Sequence, residues 1–345
     1  MTTITITNPI RQLSKRLSHL DKKLSVELKN YAPYWWEESL NTSPSASQQV
    51  LVSLARFANL DIKSVLDNSQ PLRFKESACN YKHASNKEPS QLDAATALVA
   101  SSAKIISQIT KPKYSIFSDA LTLRKQFLEA GNPCVNLELL INYCWQQGVP
   151  VLYLPELPVS KKMDAVVVDI GGSPVIAITK KCKHESAVLF LLAHEMGHIF
   201  HQHLAIGQLL IDEGISDASN IDEQENQANQ YAITLLTGEK TTQFHSDGQR
   251  LKAKKLVESA RLNAIEHQID AGHIVLNWGH SESKNCSQDK QRMVIWSIAN
   301  AALNLLYPNP IWEQLIKEQL LKNIDENEAQ GDQLDYLYKL MKIEE

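Results

Sequence analysis

The sequence predicts an α+β protein that is mostly helical. Three observations lead there. Long stretches place apolar residues at three- and four-residue spacing, three short β-branched runs cluster between residues 149 and 179, and a histidine-bearing apolar helix follows them directly. With 345 residues, 43% of them hydrophobic and 21% charged, the chain can form two or three compact units. The expected divisions are a helical region over 1–115, a central domain over 116–245 and a second helical region over 246–345.

From the N-terminus, Ile10, Leu13, Leu17, Leu20, Leu24, Leu28 and Tyr31 describe one helix of about six turns, ended by Pro33. Its other faces are basic, a pattern that fits packing on its own domain better than a membrane or nucleic-acid role. "QQVLVSLARFANLDIKSVLD" reads as helix, short turn and helix start; no basic second helix follows, so DNA reading is not expected here. "QLDAATALVASSAKIISQI" is an alanine-rich helix. Residues 119–130 and 137–147 form two more, each followed by a glycine, Gly131 and Gly148, suited to a C-cap. "VPVLYLP", "DAVVVDI" and "SPVIAIT" read as strands, with "GGSP" as a hairpin signal between the last two. Helices are expected over 185–204 and 222–236. From 246 onward the pattern is helical again, interrupted by "GHSESKNCSQDKQR".

Composition narrows the function. A net charge of -4 gives no global case for nucleic acid as a direct partner. No apolar run approaches the roughly 18 residues of a membrane span or has secretory character, so a cytoplasmic protein without a membrane role is expected. The five cysteines have no chelating spacing and read as reduced thiols.

The chemistry concentrates in "AHEMGHIFHQH", which holds four of the eleven histidines. His194-Glu195-Met196-Gly197-His198 is an H-E-x-x-H pattern. On a helix, positions i and i+4 lie one above the other, so both imidazoles can converge on one tetrahedral zinc ion. Glu195, about 100° further round, sits near the metal and can act as general base. A catalytic zinc needs a third protein ligand and an open fourth position. The pattern with histidine six residues further on fails, since that position is Leu204; His201 and His203 lie too near on the same helix to close the tetrahedron easily. Glu225 is favoured: with Ala228, Asn229 and Ala232 it forms one face of the following helix, whose small alanines permit close approach. Glu223 is the rival on another face. Asn229 is placed to hydrogen-bond a ligand histidine.

H-E-x-x-H with E-x-x-A-N-x-Y-A-x-x-L-L downstream resembles the ImmA/IrrE family of metallo-endopeptidases, over about residues 117 to 240. "LRFKESACNYKHA" and "GVPVLYLPELPVSKKMDAVVVD" share its flavour. The resemblance implies a cytosolic zinc peptidase with a zincin-like core: a small sheet, the H-E-x-x-H helix and the Glu-bearing helix. It implies a protein substrate such as a helix-turn-helix repressor or an antitoxin, cut to release stress-response, mobile-element or toxin–antitoxin genes. Gln227 departs from the second acidic residue that many relatives carry.

One zinc ion held by His194, His198 and Glu225, with Glu195 moving the water proton, is therefore the expected centre. One strand of the "DAVVVDI"/"SPVIAIT" pair is expected to take the substrate as an added strand. Tyr231, Tyr153 and His245 are the candidates for oxyanion support. Asp212, Glu213, Asp217, Asp222 and Glu223, without a nearby Lys or Arg, form an acidic stretch suited to a basic partner. The alternative is a non-catalytic partner-binding regulator in which zinc pins two helices together. Glu195 argues against it, because a structural site has no need of that residue.

Overall fold

The computed structural model describes residues 8–75, 78–81, 92–110, 113–204, 208–212, 223–246, 252–284, 286–329 and 331–343. Among these, the chain is mostly helical around a five-stranded sheet.

The N-terminal basic stretch is broken where one helix was expected. Helix α1 (Pro9–Leu17) stops, and α2 (Lys22–Glu27) begins anew at Asp21, whose carboxylate accepts from Leu24 N at 2.8 Å. Asp21 is buried and also accepts from Ser160 N and Oγ, so a long-range contact fixes this cap and overrides the apolar periodicity. Part of the basic face is structural. Arg16 donates to the carbonyls of Ser64, Val65 and Gln70 and so closes the end of α4 (Ile62–Leu66), which follows α3 (Pro44–Phe57).

Strand β1 (Ala78–Tyr81) then joins the sheet, and the alanine-rich α5 (Asp93–Ile109) is buried on nearly every side. Helices α6 (Ala120–Glu129) and α7 (Leu137–Gln146) follow, then β2 (Val151–Tyr153), β3 (Ala165–Asp169) and β4 (Pro174–Ile178). Gly171 and Gly172, at φ 64 and 90, make the β3–β4 hairpin turn in a region that other residues rarely enter. Helix α8 (Glu185–Phe200), strand β5 (Gln208–Asp212) and helix α9 (Glu223–Thr237) complete the part that holds the histidines.

The strand order is β1-β5-β3-β4-β2. β3 pairs antiparallel with both β4 and β5, while β1 runs parallel to β5 and β2 parallel to β4. β4 is buried throughout and β3 nearly so, because α5 and α8 both pack on this central pair. β1 and β5 were absent from the strand expectation.

C-terminal to the site run α10 (Ala253–His267), α11 (Ala271–Lys284), α12 (Asp289–Leu306), α13 (Trp312–Asn323) and α14 (Gln333–Met341). "GHSES" is helical rather than a break, since α11 continues to Lys284 and packs Gly279 on Ala299 and Trp296 of α12. One core runs from Ile10 to Met341; α10, α11 and α12 share a second, smaller one. Beyond 246 the helices divide between the two cores. α13 and α14 return to the main core, where Trp312 meets Tyr153 edge-on with ring centroids 4.5 Å apart.

Candidate metal centre

Helix α8 stays helical because it is apolar nearly all round, and it is buried over Leu191–Ile199. His194 and His198, one turn apart, turn their Nε2 atoms to each other at 3.0 Å. Close packing against α9 supplies the third group. Gly197 lies so near α9 that a Cβ there would stand 2.9 Å from Ala228 Cα and 3.0 Å from Tyr231 Cβ. Ala228 is fully buried in this contact, and Glu225, one turn earlier, is carried to the rings. Its Oε2 is 3.3 Å from His194 Nε2 and its Oε1 is 3.4 Å from His198 Nε2.

The fit to a small divalent ion follows from these lengths. Donors at 2.0–2.1 Å from a tetrahedral ion stand about 3.3 Å from one another. Among the described residues, His194, His198 and Glu225 are the group able to hold a metal ion. Burial pushes the pKa of His198 down to about 4, with the neighbouring His194 and His203 adding to the shift. For Glu225, burial alone would raise the pKa, but hydrogen bonds and charge from His194 and His198 hold it below the usual carboxylate range. At neutral pH both groups are thus in the forms that bind metal, a neutral imidazole and a carboxylate.

Both rings are anchored on the side away from this triangle. His194 Nδ1 lies 3.0 Å from Asn229 Oδ1 on α9. His198 Nδ1 lies 2.8 Å from His203 Nδ1, and His203 Nε2 lies 2.8 Å from Gln227 Oε1, also on α9. Sequence reasoning considered His203 only as a ligand and Gln227 only as a departure. The i+5 spacing from His198 was the sole available signal, and its meaning depends on the turn after α8. Glu195 is fully buried on α8 next to His194. His201 ends the helix, its ring stacked on His203 and edge-on to Tyr231. Glu223 Oε1 stands 3.5 Å from Gln227 Nε2.

The three residues considered for oxyanion support spend their polar atoms elsewhere. Tyr231 donates to Ser118 O at 2.9 Å, Tyr153 donates to Glu313 Oε1 at 3.4 Å, and His245 pairs with Glu282 at 3.4 Å. The strand-addition expectation also needs correction. β3 and β4 each have two strand neighbours, so neither has free backbone groups for a substrate; the outer strands are β1 and β2. Most of the acidic stretch, Glu213 to Asp222, lies outside the described residues, as does the side chain of Asp212. Among the described residues no helix is long and apolar enough to cross a membrane.

Residues 144–263 match the family model described as the IrrE N-terminal-like domain, a peptidase family. The match spans β2 to β4, α8, α9 and the whole ligand triangle. Comparison with curated proteins and with solved structures gave no match.

Proposed function

We propose that this chain, IrrE N-terminal-like over residues 144–263, is a zinc-dependent endopeptidase that cuts a regulatory protein. A helix-turn-helix repressor or an antitoxin is the substrate class this reading favours. The observation that carries it is the meeting of His194, His198 and Glu225 at 3.0–3.4 Å, with Glu195 beside them on the same helix. The donor set, two imidazoles and one carboxylate, leaves a fourth position open, as a catalytic zinc requires.

Zinc held there supplies Lewis-acid chemistry, polarising the scissile carbonyl and lowering the pKa of the attacking water. His194 and His198 give their Nε2 lone pairs to this task, and Asn229 keeps the His194 ring in plane by accepting from Nδ1. Glu225 contributes negative charge that offsets the ion's. The Glu195 carboxylate takes the proton of the attacking water and passes it to the leaving amine nitrogen. Low exposure of the ligand side chains, 2% for His194 and 0% for His198, keeps the local dielectric low and these electrostatic effects large.

That same burial favours a second reading, a metal that only pins α8 to α9 in a partner-binding regulator. Replacing Glu195 with Gln separates the two. Purified Glu195→Gln protein is expected to retain one zinc per chain and to lose cleavage of co-expressed repressor or antitoxin candidates by at least 100-fold. Undiminished cleavage removes Glu195 as the base. Zinc binding by the wild type without cleavage of any candidate supports the structural metal.

A further inference from the structure

We propose that His203 and Gln227 are positioning residues of the metal centre that act through His198. The proposal rests on the metal-binding reading above and takes it one residue further out. It begins with a turn. Helix α8 ends at Phe200, and the chain reverses through Gln202, which is left-handed at φ 55. His203 N donates back to His198 O at 3.0 Å, the six-to-one closure of a Schellman turn, with glutamine in the place glycine usually takes. This reversal lays the His203 ring beside the His198 ring, centroids 5.0 Å apart.

Ligand chemistry then orders the protons. A histidine that offers Nε2 to a metal carries its hydrogen on Nδ1. His198 Nδ1–H accordingly donates to His203 Nδ1 at 2.8 Å. His203 accepts there, so its own hydrogen is on Nε2 and donates to Gln227 Oε1 at 2.8 Å. Gln227 is a neutral acceptor, and its own Nε2 faces Glu223 Oε1 at 3.5 Å on the same helix. The series runs in one direction, from a ligand on α8, through the turn that ends α8, to the helix that carries Glu225.

The series has a mechanical consequence. A histidine's terminal torsion is broad, so packing alone sets its ring angle loosely. A hydrogen bond on the far nitrogen sets it sharply and fixes the tautomer. Asn229 does this for His194 in one step, and His203 with Gln227 does it for His198 in two. Both lines end on α9, so the helix that delivers the carboxylate also aims both imidazoles.

The test uses the full-length chain and reads zinc affinity by competition with a chromogenic chelator, independently of proteolysis. His203→Ala is expected to weaken zinc binding 10- to 100-fold. His203→Asn, whose Oδ1 takes the place of Nδ1 as acceptor, is expected to recover most of that loss. Gln227→Ala is expected to weaken binding several-fold alone and to add nothing in the His203→Ala background, because it acts through His203. The metal-free Tm of each variant, measured alongside, reports on folding; where His203→Ala fails to fold, the His203→Asn and Gln227→Ala pair carries the same comparison. Zinc affinity within two-fold of wild type in His203→Ala, or fully additive losses in the double variant, overturns the proposal. A wild type that binds zinc but cleaves nothing overturns the peptidase reading alone, while a wild type that binds no zinc overturns both.

Discussion

His273, on α11, lies 3% exposed with its ring nearly parallel to that of Phe190, centroids 6.1 Å apart, and neither ring nitrogen has a hydrogen-bond partner among the described residues. Burial alone pushes its pKa down to about 4. The unfolded chain takes a proton at this side chain near pH 6.5, whereas the folded one resists until about pH 4. Unfolding therefore takes up a proton between those values, and stability falls as the pH falls through that window. The loss from this site is about 2 kcal/mol between pH 7 and pH 5. His273→Phe keeps an aromatic ring against Phe190 and removes the titration. Its Tm is expected to drop less than the wild type's over that interval, which scanning calorimetry at the two pH values checks. At this scale the sequence was most readable around the metal. The i, i+4 spacing of His194 and His198 and the i, i+4 spacing of Glu225 and Asn229 are local geometry, and a helix realises them wherever it is packed. His203 and His273 were not readable, since one depends on a left-handed glutamine and the other on a helix far along the chain that packs on α8.

Between elements, the decisive contact is the crossing of α8 and α9 at Gly197 and Ala228. Adding one methyl at Gly197 favours the isolated helix by up to about 1 kcal/mol. Here that methyl would press on the backbone of Ala228 at 2.9 Å, where no flexible side chain can yield. Gly197→Ala is accordingly expected to destabilise the protein by about 1–3 kcal/mol. It should also weaken zinc binding, because α9 must move outward with Glu225. Urea unfolding and chelator competition measure the two effects. The alanines around Glu225 signalled this close approach in the sequence, whereas the role of Gly197 emerges only from the crossing itself. Helices α6 to α9 and the β3–β4 hairpin were legible because caps, glycines and β-branched runs agree with one another there. The break at Asp21 was not, since its carboxylate is committed to Ser160, far along the chain. The sheet order was hidden for the same reason: pairing β1 with β5 is a contact between distant segments that local pattern does not carry.

Across the whole molecule, Arg124 ties three parts together. The residue is 6% exposed, and its guanidinium donates to Leu236 O at 2.9 Å at the end of α9, and to His267 O and Gln268 O at 3.0 and 2.9 Å at the end of α10. Two helix C-termini thus direct their negative ends at one cation, which joins the histidine-bearing part to the α10–α12 core. Arg124→Met is expected to cost about 3 kcal/mol by leaving these carbonyls unpaired in a buried place, measured as the urea midpoint at constant slope. Arg124→Lys should recover little of it, because one ammonium cannot reach both helix ends as the planar fork does. Neither this linkage nor the return of α13 and α14 to the main core is legible in local sequence pattern. Both depend on which distant surfaces meet. The pairing of β1 with β5 carries a further consequence, for biosynthesis. Strand β1 leaves the ribosome roughly 130 residues ahead of β5, its one strand partner among the described residues, an interval on the order of 10 seconds at ordinary translation rates. During that time the nascent sheet ends at β3 on the side that β5 and β1 later extend, and whatever shields the waiting backbone of residues 78–81 must be something other than β5.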